Sequence, residues 1–272
     1  MNHGIFAHHA HIFPRESRPE GTVEKLLEHL DAANIERAVC FAPFVDQMGG
    51  RSEVPNIWLA ETLKNQLRLC GFGTIDIHGK NLADQVQQAS ALGLKGLKLH
   101  PNHQQFDILS DQAREVYATA EALNLFVTFH SGVHRYRLDH YRVTKFDEVA
   151  WHFPKLRFSL EHVGGWSFFN EAVAVIVNNI PFPPVPGKRC KVFAGLTSVF
   201  TPDFLPFWYM SPERMKELIK QVGIEQIIFG LDFPYNPVKH TKLAIAAIKG
   251  LNLSLDDEKL LLGGNLAREL NV

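Results

Sequence analysis

Short runs rich in β-branched and aromatic residues recur along this chain, and each is followed by a longer stretch whose apolar residues return at helical spacing. There are eight runs: GIFAHHAH from Gly4, RAVCFAPF from Arg37, LCGFGTID from Leu69, LKGLKLH from Leu94, LFVTFHS from Leu125, LRFSLEH from Leu156, CKVFAGL from Cys190 and QIIFGLD from Gln226. The spacing predicts helices over 22–33, 55–68, 82–92, 111–123, 143–153, 167–178, 212–222 and 239–249, with a closing helix over 256–270. Ser211 before Pro212 reads as an N-cap followed by proline in the first helical turn. Strand-then-helix units in series require parallel strands joined by right-handed crossovers, and eight of them close on themselves. The expected fold is therefore α/β, a single (β/α)8 TIM barrel spanning 1–272, a length this architecture routinely uses as one domain.

Composition narrows the function. With a formal charge of −1 and 21% charged residues, the chain carries no polybasic surface for nucleic acid or membrane, which leaves small neutral or anionic molecules as partners. A homo-oligomer stays open. Cys40, Cys70 and Cys190 are too few and too scattered for a disulfide framework and read as buried thiols of a reducing compartment. No signal peptide and no apolar stretch long enough to span a bilayer is evident, so the cytoplasm is the expected location. The stretch NNIPFPPVPGKRC from Asn178 holds four prolines and is expected to run extended over the surface, as a lid, a contact surface or a stiff connector.

Chemistry in such a barrel gathers where the strands end. There the first run offers His9 and His11, the fourth Lys98 and His100, the fifth His130, the sixth His162 and the eighth Asp232. Strand parity places His9 and His11 on one face, with His8 and Ala10 on the other. It likewise groups Gly96, Lys98 and His100, and Ile228, Gly230 and Asp232, opposite faces that are wholly apolar. Imidazoles with a carboxylate suit a divalent transition ion, and three or four such ligands with one open position describe a catalytic zinc site. Such an ion acidifies a bound water and polarises a carbonyl. His103 reads as a loop residue, and His29, His78, His152 and His240 as surface residues.

The loop GVHRYRLDHYR beyond His130 concentrates Arg135, Arg137 and Arg142, which either grip a substrate carboxylate or simply solvate the loop. Trp166, with Phe200 and the run FLPFWYM from Phe204, either walls a pocket for a flat substrate or covers the barrel rim.

The segments HAHIFP from His9, GLKLHP from Gly96, FHSG from Phe129, EHVGG from Glu161, FGLDFPY from Phe229 and GNLAREL from Gly264 resemble, in order, the signature segments of the amidohydrolase superfamily. The likeness is to its amidohydrolase-related branch, which includes aminocarboxymuconate-semialdehyde decarboxylase, and it covers nearly the whole chain. It implies that His9, His11 and His130 are metal ligands, that Asp232 is a further ligand or general base, and that His162 is an acid/base or carbonyl polariser beside the metal. One ion is implied, most simply Zn2+, with Mn2+ and a second ion left open. A second ion would be held by His162 and bridged by a carbamylated Lys98, and His100 would touch the substrate or the surroundings of the metal.

The implied activity is metal-dependent hydrolysis of a small-molecule ester, lactone or amide that carries a carboxylate. The alternative is non-oxidative decarboxylation or hydration of an aromatic or muconate-like acid, and a barrel that binds without catalysis is a third reading. One departure stands out: the family commonly has aspartate where this chain has Ala7, so the group that orients a ligand must come from elsewhere.

Overall fold

The computed structural model describes residues 4–184 and 188–272. Eight strands, β1 (Ile5–His11), β2 (Ile35–Phe41), β3 (Leu69–Thr74), β4 (Gly96–Leu99), β5 (Phe126–His130), β6 (Arg157–Glu161), β7 (Val192–Leu196) and β8 (Ile227–Phe233), pair in sequence order. All the pairings are parallel, and β8 returns to β1 to close a (β/α)8 TIM barrel.

The helices are α1 (Val23–Ala32), α2 (Pro55–Leu63), α3 (Leu82–Ala91), α4 (Pro101–Gln104), α5 (Asp111–Ala122), α6 (Lys145–His152), α7 (Phe169–Asn178), α8 (Pro212–Val222), α9 (Val238–Lys249), α10 (Leu255–Lys259) and α11 (Asn265–Leu270). Ser211 does cap α8, its hydroxyl accepting the Arg214 N–H at 3.3 Å. Among the described residues no helix is long and apolar enough to cross a membrane. The expected extended path of 178–190 falls in part on 185–187 and so lies outside the described residues.

Two apolar layers follow from strand alternation. Leu97, Leu99, Ile227, Phe229 and Leu231 face outward and pack under the helices. Phe6, Phe41, Phe72, Phe126 and Phe193 face inward and fill the lower barrel, where Leu266 and Leu270 of α11 plug the base. The parity expected for β4 and β8 therefore holds.

On β1 it does not. Ala7 and Ala10 lie in the outer layer, whereas His8 packs inside against Phe41 and Phe72, at 5.3 and 5.5 Å between ring centroids. The register slips between Ala7 and Ala10, and His9 has φ 67°, so β1 carries a bulge. The extra residue turns His8 inward as well as His9.

The closing helix expected over 256–270 is broken into α10, a wide turn at Leu260–Gly264, and α11. A Cβ on Gly263 would sit 2.6 Å from the Phe6 backbone N, so the turn lies directly on β1. α2 stops at Leu63, and Leu67 beyond it is exposed and gives a further turn nothing to bury. His29, expected at the surface, is buried, with Nε2 2.8 Å from the Thr241 hydroxyl of α9.

Candidate active site

The polar residues gather at the C-terminal mouth, where strands end in backbone that side chains seldom adopt. His9, His162, Ser198 and Asp232 have φ of 67°, 63°, 59° and 61°, all left-handed. Most of the other non-glycine residues in that region are asparagines at turns, which tolerate it. Four such residues of other types in one place are the kind of strain that surrounding structure holds for a purpose.

His9 Nε2 and His11 Nε2 lie 3.6 and 3.7 Å from Asp232 Oδ1. These three donor atoms all fall within 4.8 Å of one another. His9 Nδ1 is 3.0 Å from Glu161 Oε2, and a carboxylate there accepts, so Nδ1 carries the proton and Nε2 a lone pair. Lys98 Nζ donates to that lone pair at 3.3 Å. Asp232 Oδ2 accepts the Ser198 hydroxyl at 2.5 Å, and Asn236 Nδ2 donates to Ser198 Oγ at 2.9 Å and to the Leu231 carbonyl at 2.8 Å. The serine oxygen accepts from the amide, so its one proton goes to Asp232, and only Oδ1 faces the imidazoles.

His130 and His162 form an adjoining pair. His130 Nε2 donates to the Gly132 carbonyl at 3.0 Å and His162 Nδ1 to the Thr197 carbonyl at 2.8 Å. Carbonyls only accept, so in the neutral rings His130 Nδ1 and His162 Nε2 both present lone pairs, and these nitrogens are 3.1 Å apart. Two facing lone pairs repel, and a shared cation removes the repulsion. The donor set therefore fits a divalent metal ion.

Burial supports neutral rings. It holds His9, His11, His100 and His130 well below the ordinary histidine value, and brings His162 to about 4, with Lys98 adding to the effect. Burial also lowers Lys98 to about 8, against the pull of Glu161 and Asp232. It raises the Asp232 carboxyl to about 6, opposed by the Ser198 hydrogen bond. Glu161 is pushed up by burial, but His8 and His9 against it hold it well below the usual carboxylate range.

Glu161 is the residue that strand-end counting passes over. It lies wholly inside the barrel, accepting Ser159 Oγ at 2.7 Å on Oε1 and Thr197 Oγ1 at 2.6 Å on Oε2 beside His9. A Cβ on Gly195 would sit 2.4 Å from its carboxyl, so that glycine makes its space. It supplies the orienting carboxylate that Ala7, turned away into the outer layer, does not. Its sequence signal is parity: Ser159 and Glu161 alternate with the outward Phe158 and Leu160.

A cavity of about 390 Å³ opens over the cluster, reached by His9, His11, Lys98, His100, His130, His162 and Asp232. Arg135 and Arg137 do not line it; both are exposed on the loop after β5, which carries them past the mouth. Trp166 does not line it either: it is 61% exposed, with the Arg214 guanidinium 5.8 Å from its ring. The tryptophan at the cluster is Trp208, stacked on His162 at 4.0 Å, and the cation is Lys98. A larger groove of about 850 Å³ runs beside the mouth and shares Phe44 and His103 with the cavity, but the clustered imidazoles are absent from it.

No curated protein matches the chain in a direct sequence comparison. Among solved structures, 5-carboxyvanillate decarboxylase from Sphingomonas paucimobilis superposes with a TM-score of 0.71 at 16% identity, over 99% of each chain. A dihydroxybenzoic acid decarboxylase from Polaromonas, with bound manganese and 2-nitroresorcinol, gives 0.71 at 15% identity over 100% of this chain and 97% of that one. A candidate 2-pyrone-4,6-dicarboxylic acid hydrolase from Acinetobacter baumannii with citric acid bound gives 0.70 at 14% identity over 99% and 100%. At these identities the likeness shows the fold. The family is shown by the amidohydrolase model, which matches residues 8–270, and the chain belongs to the amidohydrolase family.

Proposed function

We propose that the protein is a metal-dependent hydrolase of a small-molecule ester, lactone or amide. The observation that carries this reading is the His130–His162 pair, whose outer nitrogens are tied to carbonyls so that two lone pairs face each other in the wall of the cavity that His9, His11 and Asp232 also line. His9, His11, His130 and Asp232 would hold one divalent ion, Zn2+ or Mn2+, with the His162 Nε2 lone pair turned toward it from alongside. When bound, that ion acidifies a water and polarises a carbonyl.

The chain's own residues do the rest. Asp232 Oδ1 takes the proton of the attacking water and returns it to the leaving group, while Ser198 holds Oδ2. Glu161 fixes the His9 ring, and Thr197 fixes that of His162. Trp208 covers His162 and keeps bulk water from it.

Decarboxylation is the second reading, favoured by the decarboxylases among the structural neighbours. Three free, buried cysteines suit a reducing cytoplasm.

Elemental analysis after incubation with zinc or manganese tests the metal reading; less than about a tenth of an ion per chain overturns it. His130→Ala is expected to lose both metal and turnover. Acid release from lactones and esters, set against carbon dioxide release from carboxylated aromatics, separates the two reactions.

A further inference from the structure

β4 ends at Leu99 and the chain turns at once into α4. His100 is the residue at the turn, and both its backbone and its ring are locked there. The Gln104 side chain takes its backbone N–H at 2.9 Å, and its ring Nδ1 accepts the backbone N–H of His103 at 3.2 Å. A backbone N–H can only donate, so Nδ1 presents the lone pair and the proton of the ring is on Nε2. The ring lies flat on His130, with centroids 3.9 Å apart and planes 9° apart, and it lines the cavity. Among the described residues no group takes its Nε2.

His130 and His162 are the reverse case, since their cavity-side nitrogens carry lone pairs. A cation needs an electron pair, and the free nitrogen of His100 carries a proton instead. An N–H fixed in place at a cavity wall is the equipment for an oxygen that gains negative charge during reaction.

We propose that His100 is not a metal ligand but a catalytic residue, a neutral imidazole that donates its Nε2–H to the carbonyl oxygen of the bound substrate. The proton stays on Nε2 throughout; the hydrogen bond shortens as the oxygen takes up charge and relaxes when the carbonyl re-forms. The proposal rests on the hydrolase reading above and adds the second contact to the substrate carbonyl, opposite Asp232 in role.

Two-bond 1H–15N correlation of histidine-labelled protein, compared with His100→Asn for assignment, reads the tautomer directly. An Nε2–H ring in the metal-free and the zinc-titrated protein is expected; an Nδ1–H ring, or a zinc-ligated shift at His100, overturns the proposal. With dihydrocoumarin as the lactone probe, His100→Ala is expected to lower kcat by about 10²–10³-fold with KM little changed and zinc stoichiometry intact. His100→Gln, whose amide nitrogen reaches the Nε2 position and still donates, is expected to recover most of the loss. Unchanged kcat, or loss of zinc in His100→Ala, overturns it. A wild-type protein that binds no metal removes the hydrolase reading instead, and the metal-free spectrum still decides the His100 tautomer.

Discussion

The two ends of the barrel are built on opposite principles. At the base, Phe6, Phe72, Phe126 and Phe193 meet Leu266 and Leu270 in a dry plug whose cohesion is burial and dispersion. At the mouth, His8, His9, Lys98, Glu161 and Asp232 are equally hidden from water, yet nearly every contact among them is polar and several residues sit in left-handed backbone. Burying such groups costs free energy that hydrogen bonds only partly return. The base generates stability and the mouth consumes it, and the strand order shared by both ends lets one support the other.

Substitutions at the two ends should therefore move different quantities. Asp232→Asn is expected to lower turnover by about 10³-fold while raising thermal stability, since a carboxyl held up to about 6 by burial is replaced by a neutral group. A fall in melting temperature alongside the lost turnover would mean that the mouth also contributes to cohesion. Phe72→Ala is expected to cost about 3–5 kcal/mol in urea unfolding and to leave metal affinity within a few-fold of the parent. A proportionate loss of metal affinity would show the ends to be coupled. Glu161→Gln is expected to weaken metal binding by about 10–100-fold, read by calorimetric titration, through loosened orientation of His9.

The smallest effect sharpens the contrast through pH. Burial holds His29, outside the barrel between α1 and α9, down to about 4. The unfolded chain binds that proton more readily, so the contribution is complete above about pH 6.5 and is lost as pH falls from there to about 4, on the order of 2 kcal/mol. Urea unfolding of His29→Asn against the parent across this window should show the flatter profile for the variant. Bound zinc should alter the acid sensitivity of the mouth histidines and leave the His29 difference unchanged.

The barrel could be read from the sequence because each strand is a compact β-branched or aromatic run and each helix carries its own spacing. Positions such as Lys98 and Ile228 followed from parity where the strands keep their register, and Asp232 kept its expected face although β8 slips against β1 there. His8 did not, because the bulge in β1 depends on how β1 meets β2 and β8, which no local pattern encodes. Glu161 stayed hidden for a different reason: it lies beneath the cavity against His9, while the left-handed His162 that follows it is the residue that reaches the cavity. Arg135 and Arg137 misled because loop composition reports charge but not direction. The tautomers of His130 and His162 depend on carbonyls of Gly132 and Thr197, set only once the chain is folded.

The plug at the base has a consequence for how the chain folds. Leu266 and Leu270 of α11 complete a core begun by Phe6 in the first strand, so the floor of the barrel joins segments far apart in sequence. Contacts of such long range repay their loop closure only after the intervening units are ordered. Sealing of the base is thus a late step, and until β8 reaches β1 both strands present unpaired edges.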